Sequence, residues 1–117
     1  MARAKVVTDG EGRFYGIRIK CPGCVLDRCG HGAVVLPTDW TPPNYERSPY
    51  ISSEVWRFNG DLESPTFSPS VLTTANYGEE RREVRCHSFV TNGRIQYLSD
   101  CTHALANQTV DLPEVEP

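Results

Sequence analysis

The residues of this sequence best suited to chemistry are cysteines and histidines at metal-binding spacings. Cys21 and Cys24 enclose a Pro-Gly turn, and Cys86, Cys101 and His103 lie in one later segment. Two thiolates on a tight turn can hold one tetrahedral ion, which a second pair of thiolate or imidazole ligands completes. Mixed sulfur and nitrogen ligands favour Zn²⁺ over iron. The sequence therefore predicts a zinc site of Cys21, Cys24 and Cys86, with His103 or Cys101 as the fourth ligand.

A β-hairpin predicted between Arg85 and His103 sorts these ligands onto two faces. Asn92-Gly93, flanked by alternating residues, is a strong signal for a two-residue hairpin loop. The register that this loop fixes pairs Val90 with Ile95, Ser88 with Tyr97, Cys86 with Ser99 and Val84 with Cys101. Side-chain alternation then turns Cys86 and Cys101 to one face and His87 to the other. His103 joins the face of Cys86 if the strand continues for two more residues.

Five further residues are assigned supporting or alternative roles. Cys29 and His31 follow the first knuckle, but one intervening residue is shorter than the usual ligand spacing, so they are predicted to be a loop thiol and a loop or second-shell histidine. Asp100 is expected to form a turn or to orient His103. If one metal position holds water, Asp100, Glu83 and His87 become its acid–base candidates.

Length and charge restrict the possible classes of protein. The 117 residues fit one domain, 1–117, and the net charge of −3 gives no basic excess for nucleic-acid binding. No apolar run approaches the ~20 residues of a membrane span, and Met1 is not followed by a signal-peptide pattern. We therefore expect a cytoplasmic protein, in which an odd number of cysteines indicates metal ligation rather than disulfides.

Short strand patterns and frequent Pro and Gly residues predict a mainly β fold. It would be a small antiparallel domain with a zinc-ribbon-like knuckle and long loops. The expected elements are strands at 3–8, 13–20, 33–36 and 54–59, a sheet-edge segment at 65–72, a mobile polar loop at 73–83, a helical turn at 104–110 and an acidic tail at 112–117. Residues 37–53 form a proline-rich loop whose Trp40, Tyr45 and Tyr50 either bind a partner or pack back onto the domain.

Three blocks of the sequence resemble a family of small bacteriophage and prophage proteins without established function. They are residues 56–61 (WRFNGD), 65–70 (PTFSPS) and 86–113 (CHSFVTNGRIQYLSDCTHALANQTVDLP). Members often carry the label "ammonia monooxygenase", which no membrane span or copper-type histidine cluster supports here. The resemblance implies that Cys21, Cys24, Cys86 and His103 are the metal ligands. Extra residues before His31 and the 37–53 loop depart from the family pattern.

The sequence favours a non-enzymatic function. The first hypothesis is a zinc-stabilised, phage-encoded binding module that acts in the host cytoplasm on a host or phage protein, as an anti-defence or host-takeover inhibitor. The alternatives are a small zinc-dependent hydrolase with an open metal position and a virion accessory protein. Neither a phosphate-binding glycine loop nor a nucleophile elbow is present in the sequence. The partner and the oligomeric state are left open.

Overall fold

The protein has the antiparallel β fold that the sequence predicts, and the part of the chain that the structure describes forms two sheets. The computed structural model describes residues 2–23, 33–51, 54–77 and 82–115. Within these ranges the strands are β1 (Lys5–Thr8), β2 (Phe14–Lys20), β3 (Ala33–Leu36), β4 (Arg57–Phe58), β5 (Phe67–Tyr77), β6 (Arg82–Thr91), β7 (Arg94–Tyr97) and β8 (Thr109–Asp111). The smaller sheet has the order β1-β2-β3 and the larger one β4-β5-β6-β7-β8. No helix within the described ranges is long and apolar enough to cross a membrane.

The smaller sheet begins with the predicted hairpin. β1 pairs with β2 around the turn at residues 9–12, and β2 pairs with β3 over all four residues of β3. Ile17 and Ile19 are fully buried because the two-residue period turns both to the core. Cys21 directly follows β2 and lies in the core of the molecule, where it is 2 % exposed.

The β6–β7 hairpin has the predicted turn and the predicted register as far as Tyr97. Asn92 and Gly93 both have positive φ angles, of 50° and 78°, as a two-residue hairpin turn requires. Val90 pairs with Ile95 and Ser88 with Tyr97. All four of these side chains are buried. This face of the hairpin therefore forms part of the core.

Beyond Tyr97 the predicted pairing of Cys86 with Ser99 and of Val84 with Cys101 is wrong. The chain turns away after Leu98, and the Cys101 N–H donates to the Leu98 carbonyl in a tight turn. It then returns to β6, where the Thr102 N–H donates to the Arg85 carbonyl at 2.9 Å. The turn replaces a straight ladder, so Asp100 and Cys101 reach β6 from a loop.

Three other predicted elements are wrong in the larger sheet. The 65–72 segment was expected at an edge because of its prolines, yet β5 lies between β4 and β6. The expected loop at 73–83 belongs mostly to the long β5 and β6 strands, which pair as far as Tyr77 and Arg82. The expected helical turn at 104–110 is a non-helical turn followed by β8, because pairing with β7 outweighs the local preference.

The proline-rich loop is divided between core and surface. Trp40 packs edge-on against Phe14 and Phe58, with ring centroids 6.2 Å and 5.2 Å away. Tyr45 and Tyr50 are exposed, Tyr50 by 72 %. The expected acidic tail also contacts the domain, since Leu112 and Val115 are buried and the Val115 N–H donates to the Ala2 carbonyl. Of the three candidate partner-binding aromatics, Trp40 is thus partly buried against the core.

Candidate functional site

Strand β6 carries two kinds of chemistry on its opposite faces. Cys86 points inward and is 3 % exposed, whereas the side chain of the next residue, His87, is 25 % exposed on the outer face. Alternation along a strand requires this separation. A cysteine and histidine cluster lies on the inner side, and a serine and an aspartate lie beside His87 on the outer side.

The inner cluster brings together residues from both sheets. The donor atoms of Cys86, Cys101 and His103 all lie within 4.8 Å of one another. Cys21 Sγ lies 3.4 Å from Cys86 Sγ, and His103 Nε2 lies 3.4 Å from the same sulfur. Ligand atoms around a tetrahedral zinc ion are separated by about 3.5–3.8 Å, given its bond lengths of about 2.3 Å to sulfur and 2.0 Å to nitrogen. The cluster could therefore hold a metal ion.

The cysteine sulfurs of the cluster are better suited to bind a metal than the His103 ring is in its present tautomer. His103 Nδ1 accepts the N–H of Leu105 at 3.2 Å, which leaves the neutral ring's proton on Nε2. A ligating nitrogen must offer a lone pair, and the opposite ring nitrogen then usually donates its proton. The Leu105 contact therefore opposes ligation through Nε2 and keeps Cys101 in the candidate set.

Gly23 and Tyr97 pack closely against the side chains of the inner cluster. A Cβ atom on Gly23 would lie only 2.3 Å from two atoms of the His103 ring, so no other residue fits there without displacing the imidazole. Tyr97 packs edge-on to His103, accepts the Gly23 N–H at 3.0 Å, and has its hydroxyl 3.2 Å from Cys21 Sγ. Burial, then the hydrogen bond to Cys21, raises the pKa of Tyr97. Its hydroxyl is therefore neutral and can donate a hydrogen bond to a thiolate at Cys21.

Several predicted ligands cannot be placed in this cluster. Cys24, Cys29 and His31 lie outside the described residues. Of the predicted set, Cys21, Cys86, Cys101 and His103 converge, and His87 is turned away from them as expected. The exact ligand set stays a prediction. The contribution of Tyr97 was missed, although the register had already placed it on the face of Cys86.

The outer face carries a serine, a histidine and an aspartate in a continuous hydrogen-bonded chain. Ser70 Oγ lies 3.0 Å from His87 Nε2, and His87 Nδ1 lies 3.1 Å and 3.3 Å from the two Asp100 oxygens. An ionised carboxylate only accepts hydrogen bonds, so Nδ1 carries the proton of the neutral ring. Nε2 is then free to accept the proton of the Ser70 hydroxyl. This is the arrangement of a nucleophile, a general base and an orienting acid.

Ser70 reaches His87 because β5 is bulged at this point. Phe67 pairs with Val90 and Val71 with Ser88, so β5 contains two more residues than β6 between these pairs. Bulges redirect side chains and are frequent beside active sites. The bulge consists of Ser68, Pro69 and Ser70, and the Trp56 indole N–H donates to the Ser70 carbonyl at 3.3 Å. Ser70 therefore sits on an irregular part of a central strand.

The turn that ends the β6–β7 hairpin supplies Asp100 and contacts His87. Asp100 reaches His87 from this turn, and Arg85 Nη1 lies 3.8 Å from the Asp100 carboxylate. The Cys101 sulfur lies 3.2 Å from the backbone nitrogen of His87 and 3.1 Å from its backbone carbonyl oxygen. The sequence had suggested supporting roles for His87 and Asp100 and no role for Ser70. Its only local signal was the Ser-Pro-Ser tripeptide, which fixes neither a bulge nor a partner.

Comparison with known proteins gives one match. The model of the BubE family, described as a bacterial ubiquitination-like system serine protease, matches residues 2–98. The matched region contains Ser70 and His87 and ends two residues before Asp100. No curated protein and no solved structure shows significant similarity to the chain. Because the match spans most of the sequence, the chain belongs to the BubE family of serine proteases from bacterial ubiquitination-like systems.

Proposed function

We propose that this protein is a serine protease acting on a polypeptide of a bacterial ubiquitination-like system. The observation that carries the proposal is the chain of contacts from Ser70 through His87 to Asp100, with heavy-atom distances of 3.0 Å and 3.1 Å. These distances lie within the range required of a nucleophile and its general base. Membership of a family of serine proteases from bacterial ubiquitination-like systems supports a polypeptide of such a system as the substrate.

The three side chains have distinct tasks in peptide hydrolysis. Ser70 Oγ attacks the scissile carbonyl carbon while His87 Nε2 takes its proton, and Asp100 stabilises the imidazolium that forms. His87 then gives the proton to the leaving amine as the C–N bond breaks, leaving an ester on Ser70. A water molecule, deprotonated by His87, attacks that ester and releases the carboxylic acid and the serine. Each proton taken up by His87 is returned within the cycle.

Labelling with an alkyl fluorophosphonate tests this proposal. The probe forms a phosphonyl ester on an activated serine, and mass spectrometry locates the modified residue. We expect one stoichiometric modification at Ser70, and none in Ser70→Ala or His87→Ala. Ser68 is the matched control, because it lies in the same bulge and is exposed but lacks the His87 contact. Modification at any other serine, or none at all in the native protein, would contradict the proposal.

The inner cluster is proposed to bind a structural zinc ion. The protein ligands would be Cys21, Cys24 and Cys86 with His103 or Cys101, which fills all four positions and leaves none for a water. Bound zinc would crosslink the end of β2 to β6 and to the turn that carries Asp100. Its task would be to hold the triad in place. This differs from the zinc-dependent hydrolase considered from the sequence, since the contacts of His87 are with Ser70 and Asp100.

A binding role for the proline-rich loop remains a second proposal. Tyr45 and Tyr50 are exposed by 44 % and 72 %, and aromatic side chains are favoured interface anchors. In this version a phage-encoded chain holds a host protein in the host cytoplasm. Binding of a partner from bacterial lysate would then survive Ser70→Ala and be lost in Tyr45→Ala with Tyr50→Ala. Partner capture that survives the double tyrosine change would rule out the loop as the contact.

A further inference from the structure

We infer that Phe89 and Leu72 form the binding site for a bulky apolar side chain of the substrate, next to the bond that Ser70 attacks. This inference rests on the proposed protease function and adds a substrate preference to it. The two side chains belong to β6 and β5, on either side of the triad. We refer to them together as the apolar flank.

Register places Phe89 opposite the nucleophile. Phe89 lies between Ser88, which pairs with Val71, and Val90, which pairs with Phe67. The β5 residues between those pairs are the bulge that ends in Ser70. Phe89 is also two residues after His87 and therefore on the same face of β6. A peptide carbonyl positioned over Ser70 Oγ would bring its neighbouring side chain against this ring.

Leu72 lies on the other side of the same histidine. It pairs directly with His87 across the β5–β6 ladder, and paired residues share a face of the sheet. Since Ser70 Oγ contacts His87 Nε2 at 3.0 Å, the register places Leu72 and Phe89 on the two strands, and on the sheet face, that carry the reacting atoms. The Trp56 indole N–H helps to hold the bulge in place by donating to the Ser70 carbonyl. The flank therefore has a rigid backbone beneath it.

Exposure distinguishes the apolar flank from the rest of the sheet. Phe89 is 42 % exposed and Leu72 54 %, whereas Ser88 and Val90, the neighbours of Phe89 on β6, are 2 % and 0 % exposed. Folding thus leaves two large apolar side chains in water beside a nucleophile. Two charged groups beside the triad, Arg85 and Asp100, lie 3.8 Å from each other, and Asp100 also contacts His87. The flank is accordingly suited to an apolar residue rather than to an acidic or a basic one.

A positional library of fluorogenic peptide amides, varied at the residues on both sides of the scissile bond, tests the inference. We expect kcat/KM to be about 10- to 100-fold higher for Leu or Phe than for Gly or Asp at one of these positions. Phe89→Ser and Leu72→Ser should each reduce that ratio severalfold. The ratio is read within one variant, so a partial loss of folded protein cancels from it. Val35→Ser is the matched control, because Val35 is 40 % exposed on β3 of the other sheet.

The outcomes separate this inference from the proposed function. An unchanged ratio in both flank variants, or a native preference for Gly or a charged residue, overturns the inference while fluorophosphonate labelling of Ser70 upholds the protease. A native protein that neither cleaves the library nor reacts with the probe overturns both. If Phe89→Ser fails to fold by circular dichroism, Leu72→Ser alone decides. Its side chain is more exposed, so its removal disturbs the packing less.

Discussion

Replacing Ser70 by Ala is expected to lower kcat for the best peptide amide by on the order of 10⁶-fold, with the fold intact. The nucleophile is removed, and what remains is the rate enhancement from binding and electrostatics, roughly 10³–10⁴ over water in related catalytic machinery. Ser70 is partly exposed at a bulge, and its hydroxyl has one described partner, His87 Nε2 at 3.0 Å. Its loss should therefore cost stability little, within about 1 kcal/mol.

Non-additivity makes this prediction specific to a triad. The double variant Ser70→Ala with His87→Ala should be no slower than either single variant, because members of one catalytic unit fail together. Asp100→Asn retains the shape but lets the His87 ring adopt the wrong tautomer, with an expected loss of about 10⁴-fold. Ser68→Ala should keep the native rate, since no contact joins Ser68 to His87 among the described residues. Losses that simply multiply in the double variant would indicate separate structural effects.

The parts of the fold that the sequence could predict are those governed by local geometry. Asn92-Gly93 specifies the turn by its backbone conformation, and the turn then fixes the pairing of Val90 with Ile95. Alternation along β6 follows from that pairing and separates Cys86 from His87. Both conclusions concern residues only a few positions apart. Their physical basis is steric, and it does not depend on which other strands are present.

The role proposed for Ser70 escaped prediction because the position of this residue depends on a non-local pairing. Pro69 suggested an edge strand, since proline cannot donate to a ladder. In the structure the extra residues of a bulge absorb the proline inside a central strand, between Phe67 and Val71. That same bulge directs Ser70 to a histidine seventeen residues away. Neither the bulge nor its partner strand leaves a periodic trace in the sequence.

Residues of the inner cluster and residues of the triad are direct neighbours in the sequence. Cys86 precedes His87 directly, and Asp100 precedes Cys101. The Cys101 sulfur also contacts the backbone nitrogen and the backbone carbonyl oxygen of His87, at 3.2 Å and 3.1 Å. Any movement of these cysteines therefore moves the base and the acid of the triad. If the inner cluster binds the proposed zinc ion, this connection predicts that activity depends on that ion.

Removal of the metal, by a chelator or by Cys86→Ala, is expected to unfold the domain and abolish labelling of Ser70. Structural zinc contributes about 10–16 kcal/mol to the folding of zinc-finger peptides. If only about 5 kcal/mol of such a contribution applies here, a change of about 4 °C per kcal/mol gives a fall in Tm of roughly 20 °C. Metal content per chain, thermal unfolding and fluorophosphonate labelling are measured on the same preparations. Metal retained by the Cys86→Ala protein would overturn the site.

His87→Ala provides the matched control because it changes the adjacent residue on the opposite face. Its side chain contacts Ser70 and Asp100, whereas the thiol of Cys86 contacts Cys21 and His103. The His87 variant should therefore retain one metal ion per chain and nearly the native Tm, yet lose labelling. A chelated native protein that keeps both its Tm and its labelling would show that the inner thiols are ordinary core residues. Loss of labelling together with the metal, but without unfolding, would instead assign the metal to positioning His87 and Asp100 within an otherwise stable sheet.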